Sequence, residues 1–109
     1  MINSIVEKKT FVIDIDGTIC TQDAAAYEKA LPFTAIINKV NQLYDAGHEI
    51  IYFTARGSKT GIDWSELTEK QLLTWGAKFH KLLMGKPYAD YYIDDKALLP
   101  EVLHTNREW

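Results

Sequence analysis

The sequence predicts an α/β fold built on a doubly wound parallel sheet. Short apolar runs rich in β-branched residues alternate with amphipathic helical stretches along the 109 residues. This alternation is typical of parallel strands joined by crossover helices. A chain of this length fits one domain with one core, so we expect residues 1–109 to form a single domain. Hydrophobic residues make up 47% of the chain, which is ample for that core.

The first half of the chain predicts a strand, a helix and a second strand. Residues 10–15 are apolar with one charge, Asp14, and are typical of a strand buried on both faces. Residues 32–46 place apolar side chains at helical spacing, and Gly47 follows as a helix stop. Residues 49–54 form a second apolar run. The helix therefore links two parallel strands.

The second half predicts another helix, two strands and a last helix. The helix begins near Asp63, because Asp63 and Glu66 have the spacing of a capping box, and it runs to residue 75 before a glycine. Residues 79–84 are a weaker strand candidate and residues 90–94 a stronger one. Residues 97–104 predict the last helical turns.

Composition excludes several classes of function. The formal net charge is −3 and no cationic run is present, which argues against binding to nucleic acid. No apolar stretch is long enough to span a bilayer, so we expect no membrane contact. The single cysteine, Cys20, cannot form an internal disulfide, and no signal peptide is evident. We therefore expect a cytoplasmic protein.

Polar residues follow the predicted strands where each strand ends. In a doubly wound sheet these positions converge on one crevice. Several carboxylates close together require a cation between them, and a hard, oxygen-binding ion such as Mg²⁺ fits. The sequence therefore predicts a site that binds phosphate and magnesium, formed by residues that follow the first, second and fourth strands: Asp14, Asp16, Thr54, Asp94 and Asp95.

These residue types predict phosphoryl transfer. With a metal present, Asp14 can attack phosphorus and form an aspartyl-phosphate, while Asp16 serves the leaving group as general acid and then the attacking water as general base. Gly17 allows a sharp turn that points backbone N–H groups at the phosphate. The Thr54 hydroxyl and the Lys86 ammonium bind its remaining oxygens. The expected partner is a phosphorylated small molecule.

Four short runs resemble the motifs of the haloacid dehalogenase superfamily: DIDGT at 14–18, FTARG at 53–57, GKP at 85–87 and IDDK at 93–96. The resemblance implies a phosphatase with a Rossmann-like, three-layer core. It implies Asp14 as nucleophile, Asp16 as acid and base, Thr54 as phosphate-binding hydroxyl and Lys86 as stabilising lysine. It further implies Mg²⁺ ligands at Asp14, Asp16 (through its backbone carbonyl), Asp94 and Asp95, and substrate contacts at Gly17, Thr18, Ala55 and Arg56.

The intervals between these motifs are short, so we expect no sizeable cap domain. Small members of the superfamily that resemble this chain occur in capsule and lipopolysaccharide pathways, which makes a sugar phosphate the first expectation and a nucleotide the second. A neighbouring subunit could cover an open site, so a homo-oligomer remains an open alternative.

Each signal also has a structural interpretation. Asp16 and Gly17 could form a hairpin turn with residues 18–21 as the returning strand, although Asp14 would then lie unexplained in an apolar strand. Thr54 alone would be an ordinary strand residue. Arg56 could equally lie on the surface or pair with a helix. Asp94 and Asp95 could cap the last helix, and Cys20 is expected to be a small buried residue.

Two other functional classes stay open. A phospho-accepting receiver also uses aspartates, a threonine and a lysine around Mg²⁺. Its acidic pair belongs to the first strand, however, whereas here the pair at 94–95 comes last. The other alternative is a catalytically quiet binding module that keeps the fold.

Overall fold

The computed structural model describes residues 7–22, 26–85 and 91–93. Within these ranges the predicted strands and helices are present in the predicted order. Neither of the α-helices found there has the length and apolar character that a membrane crossing requires. The elements are β1 (Thr10–Asp14), a 3-10 helix (Tyr27–Lys29), α1 (Thr34–Asp45), β2 (Glu49–Phe53), α2 (Ser65–Thr74), β3 (Lys81–Leu83) and β4 (Tyr91–Ile93).

The four strands form one parallel sheet in the order β3-β2-β1-β4. Strand β1 lies inside the sheet, where Ile13 pairs with Tyr52 of β2 on one side and with Ile93 of β4 on the other. The chain moves outward from β1 to β3 and then returns to the opposite side of β1. In parallel sheets of this kind ligands bind at the carboxyl ends of the strands, next to such a reversal. The predicted α/β class with a parallel sheet is confirmed.

The core follows from the alternation of side chains along the strands. Phe11 and Ile13 of β1 lie with Ile50 and Tyr52 of β2 in the larger hydrophobic cluster, whereas Val12 belongs to a second, separate cluster. The buried apolar residues of both helices join the larger cluster, so α1 and α2 pack on the same face of the sheet: Ile36, Ile37, Val40 and Leu43 from α1, and Leu72 from α2.

Double winding requires a helix on the opposite face of the sheet as well. The last predicted helix, residues 97–104, lies outside the described residues. The second helical layer therefore stays a prediction.

Helix α1 ends as the sequence predicts. Gly47 has a φ of +100°, in the left-handed region that glycine adopts without strain. Its N–H donates to the Tyr44 carbonyl at 3.0 Å, and the N–H of His48 donates to the Leu43 carbonyl at 3.2 Å. These bonds satisfy the last carbonyls of the helix and direct the chain into β2.

Helix α2 begins slightly later than predicted. The Asp63 carboxylate accepts hydrogen bonds from the Ser65 N–H at 2.9 Å and from the Ser65 hydroxyl at 2.6 Å. The N-cap position is occupied by Trp64. The predicted capping box between Asp63 and Glu66 is therefore wrong, because the first helical residue is Ser65 and the carboxylate pairs with that residue instead.

Candidate active site

The chain turns sharply after β1. The carbonyl of Ile15 accepts a hydrogen bond from the Ile19 N–H at 3.0 Å, and Gly17, at a φ of +85°, donates to the Cys20 carbonyl at 2.9 Å. This is a helical type of turn, and residues 18–21 do not return as an antiparallel partner of β1. The hairpin alternative is therefore wrong, and the turn instead carries the backbone across the carboxyl end of the sheet.

Asp14 is the last residue of β1, and its carboxylate lies at the carboxyl end of the sheet. One oxygen, Oδ1, accepts a hydrogen bond from the Ile15 N–H at 2.8 Å. A small cavity of about 140 Å³ opens beside it. The structure brings the two predicted carboxylates together at this cavity, with two further predicted site residues: its lining consists of Asp14, Asp16, Gln22, Tyr27, Ala55 and Arg56.

Thr54 directly follows β2 and contacts Asp16 across the strand ends. Its hydroxyl donates to Oδ2 of Asp16 at 3.0 Å and accepts a hydrogen bond from the Arg56 N–H at 3.1 Å. Thr54 is fully buried. The predicted convergence of the first two strand ends is thus present, and the threonine hydroxyl lies against one of the two carboxylates.

Arg56 is buried and bound to the same carboxylate. Its Nε lies 3.1 Å from each carboxylate oxygen of Asp16, and its Nη2 lies 2.8 Å from Oδ1. Nη1 donates to the Thr68 hydroxyl at 3.1 Å and to the Gln71 side-chain carbonyl at 2.7 Å, both on α2. The guanidinium carbon also lies 4.7 Å from the ring centroid of Tyr27. All three guanidinium nitrogens are therefore engaged.

This geometry decides between the alternatives for Arg56. A surface position is wrong, because the side chain is fully buried. The helix-pairing alternative is confirmed by the contacts with α2. Arg56 does border the cavity, but its donors point to Asp16 and α2, so the predicted contact with substrate stays a prediction.

Cys20 lies behind Asp16. Burial, helped by the negative charge of Asp16, raises the pKa of the Cys20 thiol from 9.0 to about 12. The sulfur lies 3.8 Å from Oδ1 of Asp16 and 3.5 Å from the Ile15 carbonyl, and it donates weakly to both. The prediction of a small buried cysteine is confirmed.

Sequence reasoning missed the residues that support Arg56. Thr68 and Gln71 are three positions apart on α2, and both are buried. The Gln71 amide also donates to the Tyr27 carbonyl at 2.7 Å, which ties α2 to the 3-10 helix. Polar residues on the buried face of a helix were the available signal, because a buried polar side chain requires a partner.

The loop after Arg56 borders a second cavity of about 290 Å³, which also reaches Thr54. Gly57 has a φ of +84°, and a Cβ there would overlap the carbonyl oxygen of Ile62. The N–H of Gly61 donates back to the Gly57 carbonyl at 2.8 Å. The loop therefore folds on itself beside the candidate site.

Some predicted site residues do not line this cavity, and others lie outside the described residues. The Thr18 hydroxyl is buried without a hydrogen-bond partner in the described part of the chain, and it does not line the cavity. Lys86, Asp94 and Asp95 lie outside the described residues. Across 7–22, 26–85 and 91–93, no three His, Cys, Asp or Glu side chains form a cluster that could hold a metal.

Comparison with known proteins supports the fold. No family model matches this chain, and no curated protein matches it. The structure is similar to the crystal structure of an MCSG target from Vibrio cholerae, with a TM-score of 0.72 and 25% sequence identity. The likeness covers 91% of this chain and 89% of that chain. The α/β fold is thus shared with a solved structure over nearly its whole length.

Proposed function

We propose that this protein is a Mg²⁺-dependent phosphohydrolase of the haloacid dehalogenase type, with a doubly wound, three-layer core and no cap domain. One observation carries the proposal. Asp14, Asp16 and Thr54 meet at the carboxyl ends of β1 and β2, next to the reversal of strand order. Buried or half-buried carboxylates at such a site are costly without a partner or a function.

In the first half-reaction a carboxylate oxygen of Asp14 attacks phosphorus in line. The bond between phosphorus and the leaving oxygen breaks, and that oxygen takes a proton from Asp16. The two residues are suited to these roles because both border the same cavity. The product is an aspartyl-phosphate on Asp14 and a free alcohol.

In the second half-reaction a water oxygen attacks the phosphorus of the aspartyl-phosphate. Its proton passes to Asp16, and the bond from phosphorus to Asp14 breaks, which restores the Asp14 carboxylate and releases inorganic phosphate. Thr54, and Lys86 by its motif, would hold the non-reacting phosphate oxygens. Asp16 is thus protonated again and ready for the next substrate.

The chain's residues fit a hard divalent cation. Carboxylate oxygens are the ligands that Mg²⁺ prefers, and the Asp16 charge is already matched by Arg56. Asp14 would therefore need another acidic ligand. Because Ile93 pairs with Ile13, the register of β4 supports Asp94 or Asp95 for that place. Bound Mg²⁺ would neutralise the charge of the phosphoryl group as Asp14 approaches it.

The expected substrate is a small phosphomonoester, with a sugar phosphate as the first candidate and a nucleotide as the second, in the cytoplasm. The chain between β1 and β2 holds α1 with a 3-10 helix, and the chain between β2 and β3 holds α2. Among the described residues of these two intervals no further helix or strand is present, which supports a core without a cap domain. A substrate could therefore enter an open site, or a second subunit could cover it.

Replacement of the nucleophile tests the proposal. Purified protein should hydrolyse an aryl phosphate only with Mg²⁺, and Asp14→Asn should abolish the activity because an amide is a poor nucleophile. The matched control is Asp45→Asn, an exposed aspartate at the end of α1, which should keep full activity. Undiminished turnover in Asp14→Asn would contradict the nucleophile assignment. A stable phosphoprotein without turnover would favour the receiver alternative instead.

A further inference from the structure

We propose that the leaving group of the substrate is a sugar and that it binds in a cavity of about 460 Å³ beside the catalytic cavity. This leaving-group cavity lies between Tyr27 of the 3-10 helix, the loop that follows Arg56, and Trp64 at the start of α2. The inference rests on the proposed phosphohydrolase function. It names the part of the molecule that would select the substrate.

The catalytic cavity alone is too small for a whole substrate. Its volume is about 140 Å³, whereas pockets that enclose small molecules have roughly 300–1,000 Å³. Tyr27 and Ala55 border both this cavity and the leaving-group cavity, so the two cavities are neighbours. A substrate whose phosphoryl group lies at Asp14 can therefore extend its leaving group past Tyr27 and Ala55 into the larger space.

Charge favours this cavity over the other one that adjoins the site. The cavity of about 290 Å³ is lined by the Asp63 carboxylate, which would repel an anionic phosphoester. Arg56 borders it as well, but the charge of Arg56 is already paired with Asp16. The leaving-group cavity is lined by Lys59, the one charged residue among its described lining residues. An anionic substrate is thus attracted to the leaving-group cavity.

The loop that forms one wall of the leaving-group cavity is held by its own hydrogen bonds. The N–H of Gly61 donates to the Gly57 carbonyl at 2.8 Å, and the N–H of Ile62 donates to the Thr60 hydroxyl at 3.2 Å. A Cβ on Gly57 would lie 3.1 Å from Cδ1 of Trp64, so the loop packs directly against the indole. A wall that is formed before binding lowers the entropy lost when a ligand is bound.

The aromatic rings of the cavity suit a sugar better than a nucleobase. A flat base stacks on a free aromatic face. The rings of Tyr27 and Trp64, however, meet edge to face, with centroids 5.0 Å apart and an interplanar angle of 78°. The Arg56 guanidinium carbon also lies over the Tyr27 ring, 4.7 Å from its centroid. The two rings therefore form a corner, against which the C–H groups of a puckered sugar ring can pack.

The polar groups of the cavity point to the same class of ligand. Ser58 and Thr60 bring hydroxyls, which both donate and accept hydrogen bonds, and Lys59 brings an ammonium donor. The Thr60 hydroxyl accepts from the Ile62 N–H and so keeps its own hydrogen for an oxygen of the ligand. No side-chain amide or carboxylate that could read the edge of a base is present among the described lining residues. This set of groups matches the hydroxyls of a sugar.

Three classes of phosphoester test the inference: a set of hexose and pentose phosphates, adenosine 5′-monophosphate, and ethyl phosphate, whose leaving group is too small to fill the cavity. Wild-type protein with Mg²⁺ should prefer a sugar phosphate. Trp64→Leu removes the indole but keeps the backbone carbonyl that accepts from Thr68. For that sugar phosphate its kcat/KM should fall by about 10-fold or more, mainly through KM, because the lost contact is with a part of the substrate that does not react. The loss for ethyl phosphate should be smaller.

Two further variants and a control accompany Trp64→Leu. Thr60→Val removes an exposed hydroxyl and should lower kcat/KM for the sugar phosphate by about 2- to 10-fold, so the test does not depend on the folding of Trp64→Leu. Trp64→Phe retains an aromatic ring and should lose less than Trp64→Leu. The matched control is Leu73→Ala, the loss of an exposed apolar side chain on α2 away from the cavity, which should change neither substrate.

The outcomes separate the inference from the proposed function. Equal losses for the sugar phosphate and ethyl phosphate in both Trp64→Leu and Thr60→Val would overturn the inference, as would unchanged kinetics in both. A preference for adenosine 5′-monophosphate that Trp64→Leu removes would assign the cavity to a base instead. Hydrolysis of ethyl phosphate without preference for any sugar phosphate would overturn the inference alone. Wild-type protein that hydrolyses none of the three classes would overturn the proposed function, and the inference with it.

Discussion

The two ends of the sheet use polar side chains in different ways. At the amino-terminal end, Nδ1 of His48 accepts a hydrogen bond from the Lys9 N–H, and Nδ1 of His80 accepts one from the Ile50 N–H, each at 3.1 Å. At the carboxyl end, Asp16 is bound to the side chains of Thr54 and Arg56. In these contacts the two histidines pair with backbone N–H groups, whereas Asp16 pairs with other side chains.

This difference suggests different roles for the polar side chains at the two ends of the sheet. Backbone N–H groups near a sheet end need acceptors, and a histidine nitrogen satisfies that need. A buried ion pair is a poor way to gain stability, because the desolvation of both charges offsets their attraction. Its presence at the carboxyl end is therefore better explained by the chemistry proposed there.

The largest effect is expected from breaking the buried ion pair on one side. Asp16→Ala leaves the Arg56 guanidinium buried without its carboxylate, and the free energy of unfolding should fall by about 3–5 kcal/mol, measured by urea denaturation. Asp16→Asn keeps an acceptor oxygen and should lose less.

The exposed pair provides a control for this prediction. Nζ of Lys78 lies 2.9 Å from Oδ1 of Asp45, almost the same as the 2.8 Å between Arg56 and Asp16 in the buried pair. The side chains of Lys78 and Asp45, however, are 50% and 58% exposed. Asp45→Ala should therefore cost less than about 1 kcal/mol. Equal losses in Asp16→Ala and Asp45→Ala would mean that burial does not distinguish the two pairs.

Alkylation of Cys20 measures how well the carboxyl end of the sheet is shielded from solvent. Alkylating reagents attack the thiolate, and the pKa of about 12 keeps the folded thiol protonated at pH 9, where about half of the unfolded thiols are ionised. Labelling of folded protein at pH 9 should be slower than that of urea-unfolded protein by on the order of 1,000-fold, measured by mass spectrometry. A folded labelling rate that rises to half its maximum near pH 9 would contradict the burial of the Cys20 thiol beside Asp16.

The raised pKa of the Cys20 thiol also makes the stability of the fold depend on pH. Because the folded pKa of Cys20 lies above the unfolded one, the thiol contributes fully to stability below pH 9, and this contribution is lost as pH rises from 9 towards 12.

A smaller effect than that of Asp16→Ala is expected at the amino-terminal end. His48→Ala removes an acceptor from the Lys9 N–H and a ring contact with Phe11, and we expect a loss of about 1–3 kcal/mol in the free energy of unfolding. Activity should not change, because His48 lies at the opposite end from the site. His48→Asn, which retains an acceptor, is the control and should lose less. A loss of activity without a loss of stability would break the separation between the two ends.

Local patterns were enough to predict the elements of the fold. Gly47 ends α1 as its backbone freedom suggests, and the apolar runs at β1 and β2 are strands because their side chains are buried on both faces. The meeting of Asp14, Asp16 and Thr54 was predictable for a related reason. Parallel strands joined by crossover helices bring their carboxyl ends to one edge.

The supporting contacts were not predictable in the same way. Arg56 and Asp16 are 40 residues apart in the sequence, and their pairing depends on the direction of one side chain after β2. The contribution of Thr68 and Gln71 depends on the rotational phase of α2, which in turn depends on where that helix begins. The sequence placed that beginning near Asp63, whereas Ser65 is the first helical residue.

The pairing of β1 with both β2 and β4 has a consequence for biosynthesis. Strand β4 is made after the other described strands, yet it covers one side of β1, which is made first. On the ribosome, one edge of the central strand therefore remains open until β4 emerges. Unpaired strand edges invite association with other chains. Nascent chains halted before residue 91 should therefore be the ones most dependent on chaperones.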